Sequence, residues 1–381
     1  MKKILLALLL LSVSAYALTY TNKFAHLRNF ATWGTHSIYD FRTHPTRLVK
    51  AADKPQPWVI DSSYNKKEIP NSLMKVLEEN NTIAFLVIQD GKIKYEHYWD
   101  GHGKDSLSGS FSAAKSMISL LIGIAVDEGK IKSIDQPVGD FIPSFKEGGK
   151  EKITLRNLLT MSSGTSWLEK DKGYFSLNAM GYYGDDEQYV VDNYEFKEPA
   201  GVNWEYRSGD TQALGLVVEK IFGKNISTLV SERFLQPMGA EKNALWLLDG
   251  GQNHEKAFCC FNGIARDYAR FGQLILNNGK WNDKQIVSEK YIKEATSPAT
   301  YLKDPTENNK PVDYYGYQYW ILNRGGRTVP MMNGLFGQYV YAVKDKNTVI
   351  VRLGNSPIGK FYHHFQGDAL KYLDAGLSVI E

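Results

Sequence analysis

A serine, a lysine and a tyrosine carry most of the chemistry this sequence offers. Between Ser106 and Val126 the only charged side chain is Lys115. Leu120, Leu121, Ile122, Ile124 and Val126 mark the stretch as a buried helix, and a lysine there is costly unless it is paired, neutralised or used. Ser112 lies three residues earlier, so both side chains project from one helical face with Cβ atoms about 5–6 Å apart. A lysine with a lowered pKa beside a hydroxyl takes its proton and makes a nucleophile. The helix start at Ser112 also presents a backbone N–H to a developing oxyanion. The same Ser-x-x-Lys spacing recurs at Ser63–Lys66 and Ser72–Lys75, but those copies sit among polar, charged residues and read as surface. The structural alternative for Lys115 is a snorkelling lysine at a helix start; the neighbouring turn offers it no polar stripe to follow.

A second constellation runs from Gly201 to Asp210 as G-V-N-W-E-Y-R-S-G-D, just before a helical pattern that begins at Thr211. A tyrosine on such a turn is fixed by packing while its hydroxyl faces a cleft, and beside Lys115 Tyr206 could relay protons as general acid or base. Tyr-x-Ser or Tyr-x-Asn also occurs at Tyr174 and Tyr20, and with 23 tyrosines the default for any one of them is packing. Gly109 to Ser116 comes within one residue of a P-loop, but Ala114 stands where the phosphate cradle needs its second glycine. The chain has no G-x-S-x-G, and its eight histidines form no H-E-x-x-H. Those absences argue against an α/β-hydrolase elbow and a metallohydrolase, so neither metal nor organic cofactor is expected. His363-His364 reads as surface or cap of a closing helix; Glu169, after Trp167, could line the cleft, though an ordinary loop carboxylate is the first reading.

The elements that must position these residues follow from periodicity. Thr82 to Ile88 and Lys92 to Trp99 flank Asp90-Gly91 and predict a hairpin. Gln338 to Val343 and Thr348 to Arg352 predict another, and a closing helix is expected from about Phe361 to Leu377. Between them Ser112 to Glu128, Thr154 to Thr160, Thr211 to Ile221 and Ile264 to Asn277 read at helical period. Strands at both ends with helices between predict an α/β (α+β) fold, an antiparallel sheet flanked by helices plus a mostly helical region. The expected division is residues 18–110 with 325–381 as the sheet domain and 111–324 as the helical one, with the active site between them. Residues Leu18 to about Lys67 show no clear period and are expected to wrap irregularly.

Lys plus Arg is 45 against 42 Asp plus Glu, too balanced for a chain that lives on nucleic acid or anionic membrane. Hydrophobic content of 43% and charged content of 23% exclude disorder and a multispan membrane protein. Lys2, Lys3, the apolar run Ile4–Leu11 and Ala15-Tyr16-Ala17 read as a secretory signal peptide over 1–17. Eight strongly apolar residues cannot span about 30 Å of hydrocarbon, so no membrane span is expected after its removal. The protein is thus expected to be exported, periplasmic or secreted. The only cysteines, Cys259 and Cys260, are adjacent, at about 3.8 Å between Cα atoms. That is shorter than the usual disulfide span of about 4.4–6.8 Å, so two buried thiols are expected.

Taken in order, Ser112-Ala113-Ala114-Lys115, the run Thr154 to Gly164, Tyr206-Arg207-Ser208 and the run Ala265 to Gly272 resemble serine β-lactamase-related hydrolases. The branch includes class C β-lactamases, D-alanyl-D-alanine carboxypeptidases, family VIII esterases and 6-aminohexanoate-dimer hydrolases. The resemblance runs from about residue 70 to the C-terminus. It implies a β-lactamase/transpeptidase-like fold, acylation of Ser112, activation by Lys115 and shared proton transfer by Tyr206. Two motifs depart from that pattern. Ser208 stands where the second motif usually ends in Asn. The third motif usually begins with Lys or His, whereas Met332-Asn333-Gly334-Leu335 holds no cation. Gly334 would let the strand backbone approach substrate, and the Leu335 N–H could be the second oxyanion donor. Without a carboxylate partner, small amide or ester substrates are favoured over β-lactams, with Arg207, Arg324 and Arg327 as possible replacement cations and position 332 as the place to restore one. The alternatives are a carboxypeptidase or β-lactamase, and a non-catalytic binding protein on the same fold.

Overall fold

The computed structural model describes residues 12–14, 16–355, 361–362, 364–366 and 368–380. The expected leader falls largely on residues 1–11 and 15, outside the described residues. Among the described residues no helix is long and apolar enough to cross a membrane.

Both predicted hairpins form, as Thr82–Gln89 with Lys92–Tyr98 and Gln338–Val343 with Thr348–Gly354. They join edge to edge, because Thr348–Gly354 pairs antiparallel with Thr82–Gln89. Trp320–Arg324 and Arg327–Gly334 extend the sheet on one side, and the short parallel strand Val59–Ile60 closes the other, giving seven strands. The sheet therefore already begins at Trp320, ahead of the boundary drawn at 324/325.

Side chains alternate across this sheet, as strand geometry requires. Ala84, Leu86 and Ile88 join Val349 and Val351 in a core shared with the helical region. Phe85, Val87 and Ile350 face the other way, against the closing helix Asp368–Ser378. That helix starts later than expected: Phe361–Tyr362 pairs with Phe365–Gln366 as a small hairpin, and His364 takes φ 64° at its turn. Asp368, in the first turn, is a natural place for an acidic side chain to meet the helix dipole. His363 lies outside the described residues.

The helical period is read correctly in all four central segments. They form Ala114–Asp127, preceded by a 3₁₀ turn at Phe111–Ala113, then Leu155–Leu159, Ser208–Phe222 and Ala265–Leu276. Thr154 caps its helix in a capping box with Asn157. Every residue from Ala114 to Ala125 is buried, which explains the absence of a polar face in the sequence.

The stretch read as irregular is more ordered than expected. It contains a helix at Ala25–Trp33 and a strand at Thr46–Val49. That strand opens a second, four-stranded sheet that continues through Ala244–Leu247 and Phe261–Gly263 to Ser108–Gly109. Strands of two to four residues are too short to show a period of two, so this sheet left no pattern to read. It leads the chain directly into the turn that carries Ser112.

Candidate active site

Ser112 sits in the 3₁₀ turn that follows Ser108–Gly109 and precedes the Ala114–Asp127 helix. Phe111, one residue before it, holds φ 44°, a left-handed conformation that costs a bulky residue energy and is typical of functional turns. Phe111 is pinned there by edge contact with Phe336, ring centroids 4.9 Å apart. Ser112 itself is partly exposed and lines a cavity of about 1220 Å³.

Lys115 is 1% exposed. Its Nζ lies 2.9 Å from Ser112 Oγ and donates to the Phe258 carbonyl at 2.7 Å. The ammonium also lies 5.1 Å from the Tyr206 ring centroid and 5.7 Å from that of Phe258. Burial pulls its pKa from 10.5 down to about 7, and the nearby charge of Glu169 partly offsets that fall. An amine in this state exchanges a proton near neutrality and is aimed at a hydroxyl.

Tyr206 completes the group. Burial raises its phenol above the ordinary value, and hydrogen bonds with Ser112 and Trp320 draw it part of the way back. Its ring leans on the Trp320 indole at 5.5 Å and meets Tyr315 edge-on at 6.2 Å. The backbone is tied on both sides: Glu205 N–H donates to the Met161 carbonyl and Ser208 N–H to Glu169 Oε1, at 3.0 and 2.6 Å. Ser112, Lys115 and Tyr206 thus converge from segments about ninety residues apart in the chain.

Ser208, Asn333, Gly334 and Leu335 all line the same cavity. A Cβ on Gly334 would stand 2.1 Å from the Ser110 carbonyl oxygen and 3.2 Å from the Ala113 nitrogen. Only glycine lets the end of Arg327–Gly334 run so close to the nucleophile turn. The register differs from the expected one in one respect. Met332 is 2% exposed and packs in the core beneath the sheet, because strand alternation turns it away while Asn333 faces the cavity.

None of the three candidate replacement cations serves. Arg207 is buried behind the site and binds Glu198 and Glu205 at 2.7 and 2.6 Å. Arg324 pairs with Asp374 and Arg327 with Asp345, and neither residue lines the cavity. Charged groups of both signs line the rest of the wall, Glu169, Asp171 and Glu307 with Lys170 and Lys172, and Lys170 is paired with Glu205 at 3.1 Å.

Three features escaped the sequence reading, and Glu169 was legible only as a residue that could line the cleft. Trp320, the Phe258 carbonyl and Glu169 all act at the site, and His364 forms part of its wall with Nε2 2.7 Å from Asp304 Oδ2. Tryptophans and a carbonyl carry no motif, so only the fold reveals them. The cysteines also differ from expectation: Cys259 and Cys260 are joined to one another, Cα atoms 3.7 Å apart. The backbone bends at Cys260, φ 79°, which folds two neighbouring side chains to one side where an extended chain would point them apart. Cys259 faces the cavity.

Comparison with known proteins bears on the family and the fold. The family model described as Beta-lactamase matches residues 72–372. A 6-aminohexanoate-dimer hydrolase of Paenarthrobacter ureafaciens is 24% identical over 357 residues, covering 88% of this chain and 89% of its own. Among solved structures, a family VIII carboxylesterase superposes with a TM-score of 0.62 at 15% identity, covering 85% of this chain and 99% of that one. A penicillin binding protein from Bacillus halodurans gives 0.61 at 17% identity, covering 80% and 98%.

Proposed function

Since the chain belongs to the beta-lactamase family, we propose that it is an exported serine hydrolase that cleaves a small amide or ester through an acyl-enzyme on Ser112. The observation that carries this reading is the buried Lys115 amine, held 2.9 Å from Ser112 Oγ with its pKa near 7. At neutral pH a large share of it is free base.

Ser112 Oγ attacks the substrate carbonyl carbon while its proton passes to Lys115, either directly or through Tyr206. The carbonyl electron pair moves onto oxygen, where the Ser112 and Leu335 N–H groups stabilise it. Collapse breaks the bond to the leaving amine or alcohol, which takes the proton back from the Lys115–Tyr206 pair. Water then attacks the acyl carbon and gives up a proton to the same pair. Ser112 Oγ leaves, regains that proton, and the acid departs.

Substrate class rests on the wall around Asn333. A carboxylate-bearing β-lactam gains a charge-assisted hydrogen bond from a cation at the third motif, typically worth about 1.5–3 kcal/mol. Here Asn333 occupies the cavity-facing position at that motif, and the lysines of the wall, Lys170 and Lys172, stand on the loop after Trp167, Lys170 already paired with Glu205. A neutral ester or amide needs no such partner. Of the relatives named above, the family VIII carboxylesterase fits that preference.

The test pairs a short-chain p-nitrophenyl ester with a chromogenic cephalosporin. Turnover of the ester should be clear and that of the cephalosporin poor, with both abolished in Ser112→Ala. Asn333→Lys should raise kcat/KM for the cephalosporin more than for the ester. Efficient cephalosporin hydrolysis by the unaltered protein would favour the carboxypeptidase or β-lactamase reading. Silence toward the ester and toward a fluorophosphonate label would favour a binding protein. Export is checked by intact mass, with Leu18 expected as the first residue of the mature chain.

A further inference from the structure

Glu169 is a part of the site that the acyl-enzyme scheme does not use. It lies on the loop after Trp167, a residue that is buried and locked by an indole hydrogen bond to Asn178 Oδ1 at 2.6 Å. From there its carboxylate enters the cavity wall, and one oxygen accepts the Ser208 N–H at 2.6 Å. Ser208 is the first residue of the Ser208–Phe222 helix, whose N-cap residue, Arg207, contributes no side-chain cap. A helix end in that state needs an acceptor from elsewhere, and a carboxylate is the most favourable one against the dipole.

The two residues before Ser208 explain why this cap matters. Arg207 N–H meets the Met161 sulfur at 3.3 Å, and Tyr206 follows Glu205, whose N–H is held by the Met161 carbonyl. Tyr206 is thus stitched to the segment from Met161 to Glu169 on both sides, and Glu169 closes the last stitch.

The same carboxylate acts on the base. Lys115 faces Ser112 from its own helix turn, Tyr206 from the second motif, the Phe258 carbonyl from the strand side and the charge of Glu169 from this loop. The other nearby wall carboxylates have partners of their own: Glu198 holds Arg207, and Glu205 holds Arg207 and Lys170. Asp210 is engaged by Ser163.

Building on the acyl-enzyme reading above, we propose that Glu169 is the positioning residue of this site, its carboxylate capping the helix behind Tyr206 and its charge acting on Lys115. The cap fixes where the phenol stands, and the charge offsets part of the fall that burial imposes on the amine.

The experiment is the pH profile of kcat/KM for the p-nitrophenyl ester in the full chain, comparing wild type, Glu169→Gln and Glu169→Ala. Glutamine keeps an acceptor for the Ser208 N–H and loses the charge. A negative neighbour favours the protonated amine, so its removal lowers the pKa of Lys115. The acid limb of E169Q should therefore move to lower pH by about half to one unit, with the plateau held within about threefold. E169A should show the same shift and, having lost the cap, a plateau kcat lower by about tenfold at similar KM. An unmoved acid limb in E169Q overturns the proposal, as does a wild-type plateau in E169A. If E169A fails to fold, the limb of E169Q decides alone. Turnover that survives in Ser112→Ala would instead defeat the acyl-enzyme reading itself; a dead S112A with an unmoved E169Q limb leaves that reading standing and removes only Glu169.

Discussion

On one side of the cavity, Ser112 and Lys115 stand at the head of a helix buried from Ala114 to Ala125, with the end of a sheet strand pressed against it at Gly334. On the other, the wall is loop: Tyr174 and Phe175 are 66% and 68% exposed and touch the N-terminal helix through Phe30 and Phe24. The first wall is held by two cores and by hydrogen bonds inside the protein, so it has one arrangement. The second is held at its base by hydrogen bonds around Asn178 and Glu169, but its exposed tip at Tyr174 rests on aromatic edges and can be altered without disturbing the first. On the acyl-enzyme reading, chemistry sits on the packed wall, where a misplacement of about 1 Å can cost a hundredfold. On the same reading, selectivity is free to vary on the loop wall, since loops tolerate sequence change.

The sharpest way to break that contrast is Lys115→Met. It should lower kcat/KM for the ester by about a thousandfold or more, because it removes the buried amine that takes the Ser112 proton directly or by way of Tyr206. The same change should make the protein more stable. Burial holds the amine near pKa 7 against 10.5 in the unfolded chain, so between those values the folded chain binds fewer protons than the unfolded one. Lys115 therefore opposes folding progressively as pH falls from about 10.5 to 7, and fully below that. Thermal melts at pH 7 should show a higher Tm for K115M, and the gain should shrink toward pH 10. A variant that loses activity and stability together would show that the lysine is a structural member of the wall.

Next in size is Gly334→Ala. The added methyl would meet the Ser110 carbonyl at 2.1 Å, so the strand end must withdraw from the nucleophile turn, taking the Leu335 N–H with it. A loss of about ten- to a hundredfold in kcat with a smaller change in KM is expected, as for an oxyanion donor displaced from its place. Gly103→Ala is the control, since a Cβ there meets nothing within 4 Å, and its kinetics should match wild type. The smallest effect should come from the loop wall. Tyr174→Ala should change KM by no more than about fivefold and leave kcat nearly alone. Steady-state kinetics that placed its loss in kcat, at the scale of G334A, would erase the distinction between the walls.

The same contrast governs what could be read from sequence. Lys115 was legible because a single charge in a long apolar run is a cost that must be explained. The hairpins were legible as apolar, β-leaning runs on either side of turn residues such as Asp90-Gly91, and the four central helices as apolar segments bounded by polar ones. Tyr206 was one tyrosine among 23 until the ordered motifs singled it out. Trp320 and the Phe258 carbonyl were invisible, and Glu169 was legible only as a residue that could line the cleft, for a common reason: each acts on a residue far away in the chain, through a backbone path that no local pattern encodes. The short strands from Thr46 to Val49 and from Ser108 to Gly109 were likewise below the length at which alternation shows. The paired cysteines run the other way: their Cα atoms stand at the 3.7 Å that adjacency dictates, below the usual disulfide span, and they are joined nonetheless.

The junction of Thr348–Gly354 with Thr82–Gln89 has a consequence in time as well as in space. The middle of the large sheet joins strands separated by some two hundred and sixty positions, and a chain cannot close so long a loop until its late segments are free to fold. Gly334, which borders the nucleophile, belongs to that late-arriving half. A nascent chain that has already made Ser112, Lys115 and Tyr206 therefore still lacks a finished site. Helices formed early would wait with their apolar faces uncovered, the condition under which chaperones are most needed. Catalytic competence should appear in a single late step, at the rate at which the two ends of the chain find each other.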